Sequence, residues 1–147
     1  MISSGLCFLL GIQCPFHGPD YHSLWATQRG ADQPLGLPER ILVPLVRHVT
    51  DLRNICAHHG RLWNRGFLIP PRLAQKPVDL RATLDQTATQ APAKLYNAAC
   101  LIAHVIRTVA PASSWRVDFT AHIDTHPEGG VAAMGFPADW KQRPLWQ

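Results

Sequence analysis

The stretch LPERILVPLVRHVTDLRNICAHHG, residues 37–60, predicts one long amphipathic helix that runs to about His59. Pro38 and Glu39 suit the first helical turn, and Gly60 suits the position just beyond the last one. Pro44 has no amide donor, so it predicts either a kink or a regular helix that begins near it. The apolar residues recur at steps of three or four, as on one helix face: Ile41, Leu45, Val49, Leu52 and Cys56.

Three further helices are predicted beyond this stretch, two of them within residues 66–111. Residues 66–92 hold four prolines and read as a crossing loop, with one short helix around residues 80–84. Pro92 then opens the clearest helix of the chain, and Pro111 ends it. Its apolar stripe consists of Leu95, Ala99, Ile102, Ile106 and Val109.

The two ends of the 147-residue chain predict irregular structure. Residues 1–36 are interrupted every few positions by Gly and Pro, which excludes a long helix there. Near the other end, Ser113 or Ser114 caps a short helix that buries Trp115, Phe119 and Ile123, and an arm pinned by aromatic residues follows. The sequence therefore predicts a mostly α fold with Pro-rich loops, in which residues 37–147 form the helical domain.

The charge balance favours an anionic partner. Fourteen Lys and Arg stand against ten Asp and Glu, a formal net charge of +4. Eleven of these basic residues are Arg, whose planar fork suits phosphate, and three of them lie within residues 51–65. The four cysteines form no CxxC pair, which is typical of a reduced, cytoplasmic protein. No run reaches the roughly 18 apolar residues of a membrane span, so we expect no membrane partner.

Residues 51–65, DLRNICAHHGRLWNR, hold an unusual density of polar side chains. Arg53 and His58 are five positions apart, so their side chains point about 140° apart on an ideal helix, and one copy makes a loose site. A symmetry mate would bring two Arg and two His into one shared cleft. There a neutral imidazole could take the 2'-hydroxyl proton of RNA while guanidinium groups stabilise the phosphoryl oxygens. Such chemistry needs no metal and no cofactor.

The same stretch resembles the Abi-like proteins of bacterial abortive infection, of the AbiD/AbiF type, whose C-terminal part belongs to the HEPN superfamily of α-helical ribonucleases. The superfamily motif is an Arg, a polar residue that is often Asn, three further residues and a His. It matches Arg53, Asn54 and His58. Residues 95–115, LYNAACLIAHVIRTVAPASSW, and 134–146, MGFPADWKQRPLW, are similar to later family segments in the same order. Several blocks in order are more specific than one short motif.

The resemblance implies a partial HEPN-like helical bundle that acts as a metal-independent endoribonuclease, used against phage or as a growth-arresting toxin. It implies a homodimer that cleaves RNA, together with a neutralising partner. Arg53 and His58 carry over as catalytic residues, Asn54 supports them, and His59 would serve if the spacing were one residue longer. The candidates for RNA contacts in the same block are Arg61, Asn64 and Arg65.

Simpler interpretations exist for the same residues. Arg53 could pair with Asp51 while the histidines bond the last carbonyls of the helix. Arg61 and Arg65 could equally form a solvated positive patch. Trp63 is better explained as a core or interface anchor than as a platform for base stacking.

The N-terminal segment supplies the alternative function. Family members usually have a long N-terminal half, and residues 1–36 align with no part of it. The alternative is therefore a non-catalytic, truncated module that binds RNA or a protein through the same basic helix end. Cys14, His17 and His22 have a zinc-like composition, but their spacing matches no standard site, so no metal site is expected. His104 lies opposite the apolar stripe of its helix, which predicts a surface histidine.

Overall fold

The computed structural model describes residues 35–68, 70–87, 93–126 and 130–147, which fold into four α-helices. These are α1 (Glu39–Ala57), α2 (Val78–Thr83), α3 (Leu95–Val109) and α4 (Trp115–Thr125). Two short 3-10 turns, Val131–Met134 and Trp140–Gln142, follow α4. The described ranges contain no strand, so the predicted mostly α class is confirmed. None of the helices in these ranges is both long and apolar enough to cross a membrane.

Helix α1 begins directly after Pro38 and continues across Pro44. Because Pro44 has no N–H, the carbonyl of Arg40 loses the donor that an ordinary residue would supply one turn later. The predicted helix is confirmed, and it begins before Pro44 rather than near it. Its buried face consists of Ile41, Leu42, Leu45, His48, Leu52 and Cys56.

Helix α3 is the central helix, because it packs against α1, α2 and α4. Ten consecutive residues, 95–104, are buried, so α3 has no polar face along most of its length. The prediction of a surface histidine at His104 is therefore wrong: its side chain is 4% exposed. Its Nε2 lies 2.7 Å from the carbonyl oxygen of Leu35, which ties the chain before α1 to α3. The helix begins at Leu95, and Pro92 lies outside the described residues.

Aromatic side chains join α3, α4 and the C-terminal arm. The predicted α4 is confirmed, with Ser114 at its N-cap position and Trp115, Phe119 and Ile123 buried. The ring of Phe119 stacks on Trp115 at 5.0 Å and on Trp146 at 5.5 Å between centroids. Rings of this size in contact supply both buried apolar area and specific geometry. The arm is therefore irregular but held in place, as its aromatic pattern predicts.

Thr83, at the end of α2, is the centre of a buried hydrogen-bond network. The Tyr96 hydroxyl donates to the Thr83 carbonyl oxygen at 2.8 Å, and Nη1 of Arg143 donates to the same oxygen at 3.0 Å. The Leu145 amide donates to the Thr83 hydroxyl at 3.1 Å. Burial raises the pKa of the Tyr96 hydroxyl, so this donor keeps its proton. The network fastens the C-terminal arm to α2 and α3.

Candidate functional site at the end of α1

The polar residues of 51–65 lie at the C-terminal end of α1 and in the loop after it. The helix ends in a Schellman motif, in which two amides beyond the last turn bond back to helical carbonyls. The amide of His59 donates to the Cys56 carbonyl at 2.9 Å, and the amide of Gly60 donates to the Ile55 carbonyl at 2.7 Å. His58 is the C-cap residue. The two adjacent histidines of the motif thus form the turn that stops the helix.

His59 occupies the left-handed position of this turn, with φ of 55°. That position usually holds glycine, because a side chain there costs about 1 kcal/mol or more. The sequence predicts that Gly60 ends the helix. The structure requires glycine there for a reason other than a left-handed conformation. A Cβ at Gly60 would lie 2.8 Å from both the Ile55 carbonyl oxygen and the Ile55 Cγ2. Gly60 is therefore needed for close approach, while His59 adopts the strained conformation.

The predicted catalytic residues Arg53 and His58 are both exposed. Nη1 of Arg53 donates to the Asn54 Oδ1 at 3.2 Å, which links the first two residues of the motif. No hydrogen bond or ion pair joins Arg53 to His58 in the described residues. The structure therefore brings Arg53 and Asn54 together and leaves His58 apart from Arg53, as the angle of about 140° on a helix predicts.

The loop after α1 is built around a second left-handed residue. Asn64 has φ of 52°, and the Arg65 amide donates to the Leu62 carbonyl at 3.2 Å, which closes a turn. Leu62 is fully buried and anchors this turn to the core. The guanidinium carbon of Arg61 lies 5.3 Å from the centroid of the Trp63 ring, a cation–π contact. The exposed candidates for RNA contacts are Arg61, Asn64 and Arg65.

The structure lacks the contacts that the simpler interpretation of this helix end requires. Among the described residues Arg53 forms no ion pair with Asp51, and neither His58 nor His59 bonds a helical carbonyl through its side chain. The three ion pairs among the described residues lie elsewhere: Arg107–Asp79, Lys141–Asp124 and Arg143–Asp139. The end of α1 therefore presents arginines whose charge no carboxylate of the described chain neutralises.

The polar residues that begin α3 do not pack on the motif. Asn97 is fully buried, and its Oδ1 accepts from the Asp85 amide at 2.8 Å while its Nδ2 donates to the Asp85 carbonyl at 2.8 Å. Tyr96 bonds Thr83, as described above. Their polarity could be seen in the sequence, but their partners, twelve or more positions away, could not.

The two cysteines among the described residues differ in oxidation state. Cys100 is a free, buried thiol, and its burial raises its pKa to about 12, so it stays protonated and unreactive. Cys56 is disulfide-bonded, so the expectation of reduced cysteines throughout is wrong at Cys56. The described residues contain no group of three metal ligands. The zinc-like set Cys14, His17 and His22 lies outside the described residues.

All of the candidate site residues except Arg65 lie within a segment that is similar to a known protein family. Residues 22–64 match the family described as Abi-like protein, which is under a third of the chain. The match begins inside the segment 1–36, and it does not extend to residues 95–115 or 134–146. No curated protein and no solved structure matches the chain. The matched segment contains all of α1 and the motif at its end, so this part of the chain is similar to the Abi-like protein family.

Proposed function

We propose that the chain is a metal-independent endoribonuclease that acts in abortive infection, where cleavage of RNA arrests growth of an infected cell. The observation that carries the proposal is the end of α1, where an exposed imidazole and arginines without ion pairs lie in one family-matched segment. The His58 side chain is exposed and forms no hydrogen bond or ion pair within the described residues, so its ring nitrogens are accessible to a substrate.

His58 is the acid and base of the proposed reaction. Its neutral imidazole takes the proton of the 2'-hydroxyl, and the oxygen attacks the adjacent phosphorus. The bond from phosphorus to the 5'-oxygen breaks, and that oxygen takes a proton from an imidazolium. The products are a 2',3'-cyclic phosphate and a 5'-hydroxyl end.

Arg53 stabilises the negative charge that grows on the phosphoryl oxygens. Asn54 holds its guanidinium through the 3.2 Å bond, and His59 supports the turn that presents His58. Arg61, Asn64 and Arg65 bind RNA beside the reacting phosphate. The arginine in this role needs its charge and its planar donors, so a lysine would replace it poorly.

A homodimer would bring the separated halves of the site together. Val43 and Val46 are 45% and 42% exposed, and at about 100° per residue they lie on the same side of α1 as Thr50, Arg53 and Ala57. An exposed apolar strip next to Arg53 suits self-association about a two-fold axis. In such a pair the Arg53 of one copy can face the His58 of the other.

The proposal is tested by incubating RNA with the full chain in EDTA, beside the variants His58→Ala and Arg53→Ala. We expect both variants to lose about 100-fold or more of the cleavage rate. Arg116→Ala is the matched control, because Arg116 is an exposed arginine on α4. Intact RNA with the parent chain, or equal cleavage by all four proteins, contradicts the proposal.

Mixing the two inactive variants tests the dimer. If Arg53 and His58 act across two chains, a mixed dimer of Arg53→Ala and His58→Ala contains one complete site, and cleavage returns. If each chain carries its own site, the mixture stays inactive.

The second candidate function is a non-catalytic module that binds RNA or a protein through the same basic helix end. It is favoured by the lack of any contact between Arg53 and His58 within the described part of one chain. Salt-sensitive RNA binding without cleavage is its expected result, because phosphate contacts release counterions.

A further inference from the structure

The exposed side of α1 carries one straight line of charged and polar side chains. At about 100° per residue, five exposed residues fall within about 60° of one another around the helix axis. They face away from the buried residues of α1. The line consists of Arg40, Arg47, Asp51, Asn54 and His58. His58, the proposed base, is therefore the last member of a line that runs the length of the helix.

Two arginines of this line have no role in the family motif. Arg47 and Arg40 lie about 16 Å and about 27 Å before His58 along the axis, at about 1.5 Å per residue. Neither takes part in an ion pair or a side-chain hydrogen bond within the described ranges. The distance from His58 to Arg47 corresponds to about five nucleotides of a stacked strand, or fewer of an extended one.

We infer that Arg47 and Arg40 bind phosphates of a single-stranded RNA that runs along this line of α1 and reaches His58 at its end. The inference rests on the proposed function. It adds further phosphate contacts on one side of the scissile bond, and we call the surface formed by Arg47 and Arg40 the track. Arg40 and Arg47 have no carboxylate partners within the described ranges, and they lie seven residues apart on the same side of α1 as His58. Such a row of cations suits a polyanion, whose charge repeats along the strand. A strand fits this line better than a duplex because it can follow one helix face.

Asp51 stands in the same line, between Arg47 and His58. Its carboxylate repels a phosphate strand, so it lowers the affinity of the track. Arg47 and Asp51 do not form an ion pair, although they are four residues apart on the helix. The track therefore predicts opposite signs for two neutralising substitutions: Arg47→Ala weakens binding, and Asp51→Asn strengthens it.

Binding of uncleavable RNA measures the track separately from catalysis. The probe is a set of 2'-O-methyl oligonucleotides, which lack the nucleophile, and the measurement is fluorescence anisotropy with the full chain. Arg47→Ala should weaken binding of a ten-nucleotide probe by about two- to fivefold, as for an exposed ion pair. It should also lower the salt dependence by about 0.7 in the slope of log affinity on log salt. Arg116→Ala on α4 is the charge-matched control and should change neither.

Shortening the probe gives the sharpest test. When nucleotides are removed from the end that lies over Arg47, the ratio between parent and Arg47→Ala affinities should fall to about one. Removal from the other end should leave that ratio unchanged. Equal effects of Arg47→Ala and Arg116→Ala, a ratio that does not depend on probe length, or weaker binding by Asp51→Asn would each overturn the track. RNA that binds with the expected length dependence but is never cleaved overturns the proposed function and supports the track.

Discussion

The end of α1 and the network around Thr83 use the same residue types in opposite ways. Asn97 is buried and both its amide atoms bond the main chain of Asp85, whereas Asn54 is exposed and bonds only the neighbouring Arg53 side chain. A polar group that is fully bonded within the fold contributes to stability and has nothing left for a ligand. A polar group at the surface with few partners contributes little to stability and can bind one.

The histidines and arginines show the same division. His104 is buried with Nε2 on a main-chain oxygen, whereas His58 is exposed with no side-chain partner in the described residues. Arg143 bonds both Asp139 and Thr83, whereas Arg53 has no carboxylate partner there. The C-terminal part of the described chain therefore holds the fold together. The α1 end carries the groups available to an anion.

The two asparagines provide the largest expected contrast. Asn97→Ala leaves the amide and the carbonyl of Asp85 without partners in the core, so the free energy of unfolding should fall by about 3 kcal/mol. Asn54→Ala removes one exposed bond and should change it by less than about 0.5 kcal/mol. Urea denaturation of both variants measures the difference. Equal stability of the two variants would show that the two hydrogen bonds between Asn97 and the main chain of Asp85 do not hold the fold together.

Two glycines test whether the turn at the end of α1 is as tight as described. Gly60→Ala places a Cβ 2.8 Å from the Ile55 carbonyl oxygen, which accepts the bond from the same residue's amide. We expect a loss of about 2 kcal/mol in unfolding free energy, because backbone must move. Gly66→Ala is the control, since no atom lies within 4 Å of its Cβ position. A loss of the same size at both positions would remove the argument for close approach.

A substitution at His59 separates stability from function at one residue. His59→Gly relieves the left-handed conformation and should raise the unfolding free energy by up to about 1 kcal/mol. RNA cleavage should fall in the same variant, because glycine keeps the turn that presents His58 but removes the imidazole beside it. Thermal unfolding and a cleavage assay measure the two effects. Lower stability would mean that the histidine is not strained, and unchanged cleavage would mean that it is only a cap.

The smallest expected effect is a pH dependence at Asp139. The hydrogen bond from Arg143 holds the pKa of the Asp139 carboxyl below its usual value. A carboxyl with a lowered pKa in the folded state stabilises it above the usual pKa of about 3.9 and loses that effect as the pH falls through the folded value. The melting temperature of the parent should therefore exceed that of Asp139→Asn at pH 6, and the difference should shrink below about pH 4. A difference that grows on acidification contradicts this pairing.

The sequence predicts local features of this molecule better than it predicts partners. The helix of residues 37–59, the short helix from Trp115 and the aromatic arm follow from periodicity and turn residues, and the structure contains them. The burial of His104 could not be predicted, because periodicity does not show how many neighbours pack around a helix. Gly60 is predicted from the sequence as the stop of the helix, but the left-handed residue of the turn is His59, one position earlier.

In the candidate site, too, local features can be predicted from the sequence and interaction partners cannot. The spacing of Arg53 and His58 predicts their separation on the helix, and the structure agrees. The bond from Arg53 to Asn54 is a matter of side-chain conformation, which residue types alone do not determine. The partners of Asn97 and Tyr96 lie in a loop and a helix end far along the chain, so no local pattern indicates them.

The most direct test of the account is the identity of the RNA ends produced in EDTA. The substrate is a single-stranded RNA and its copy with one 2'-deoxy nucleotide at the cleaved position. The account predicts 2',3'-cyclic phosphate and 5'-hydroxyl ends from the RNA, no cleavage at the 2'-deoxy position, and a loss of about 100-fold or more with His58→Ala. Ends that carry a 5'-phosphate, or equal cleavage at the 2'-deoxy position, would contradict it.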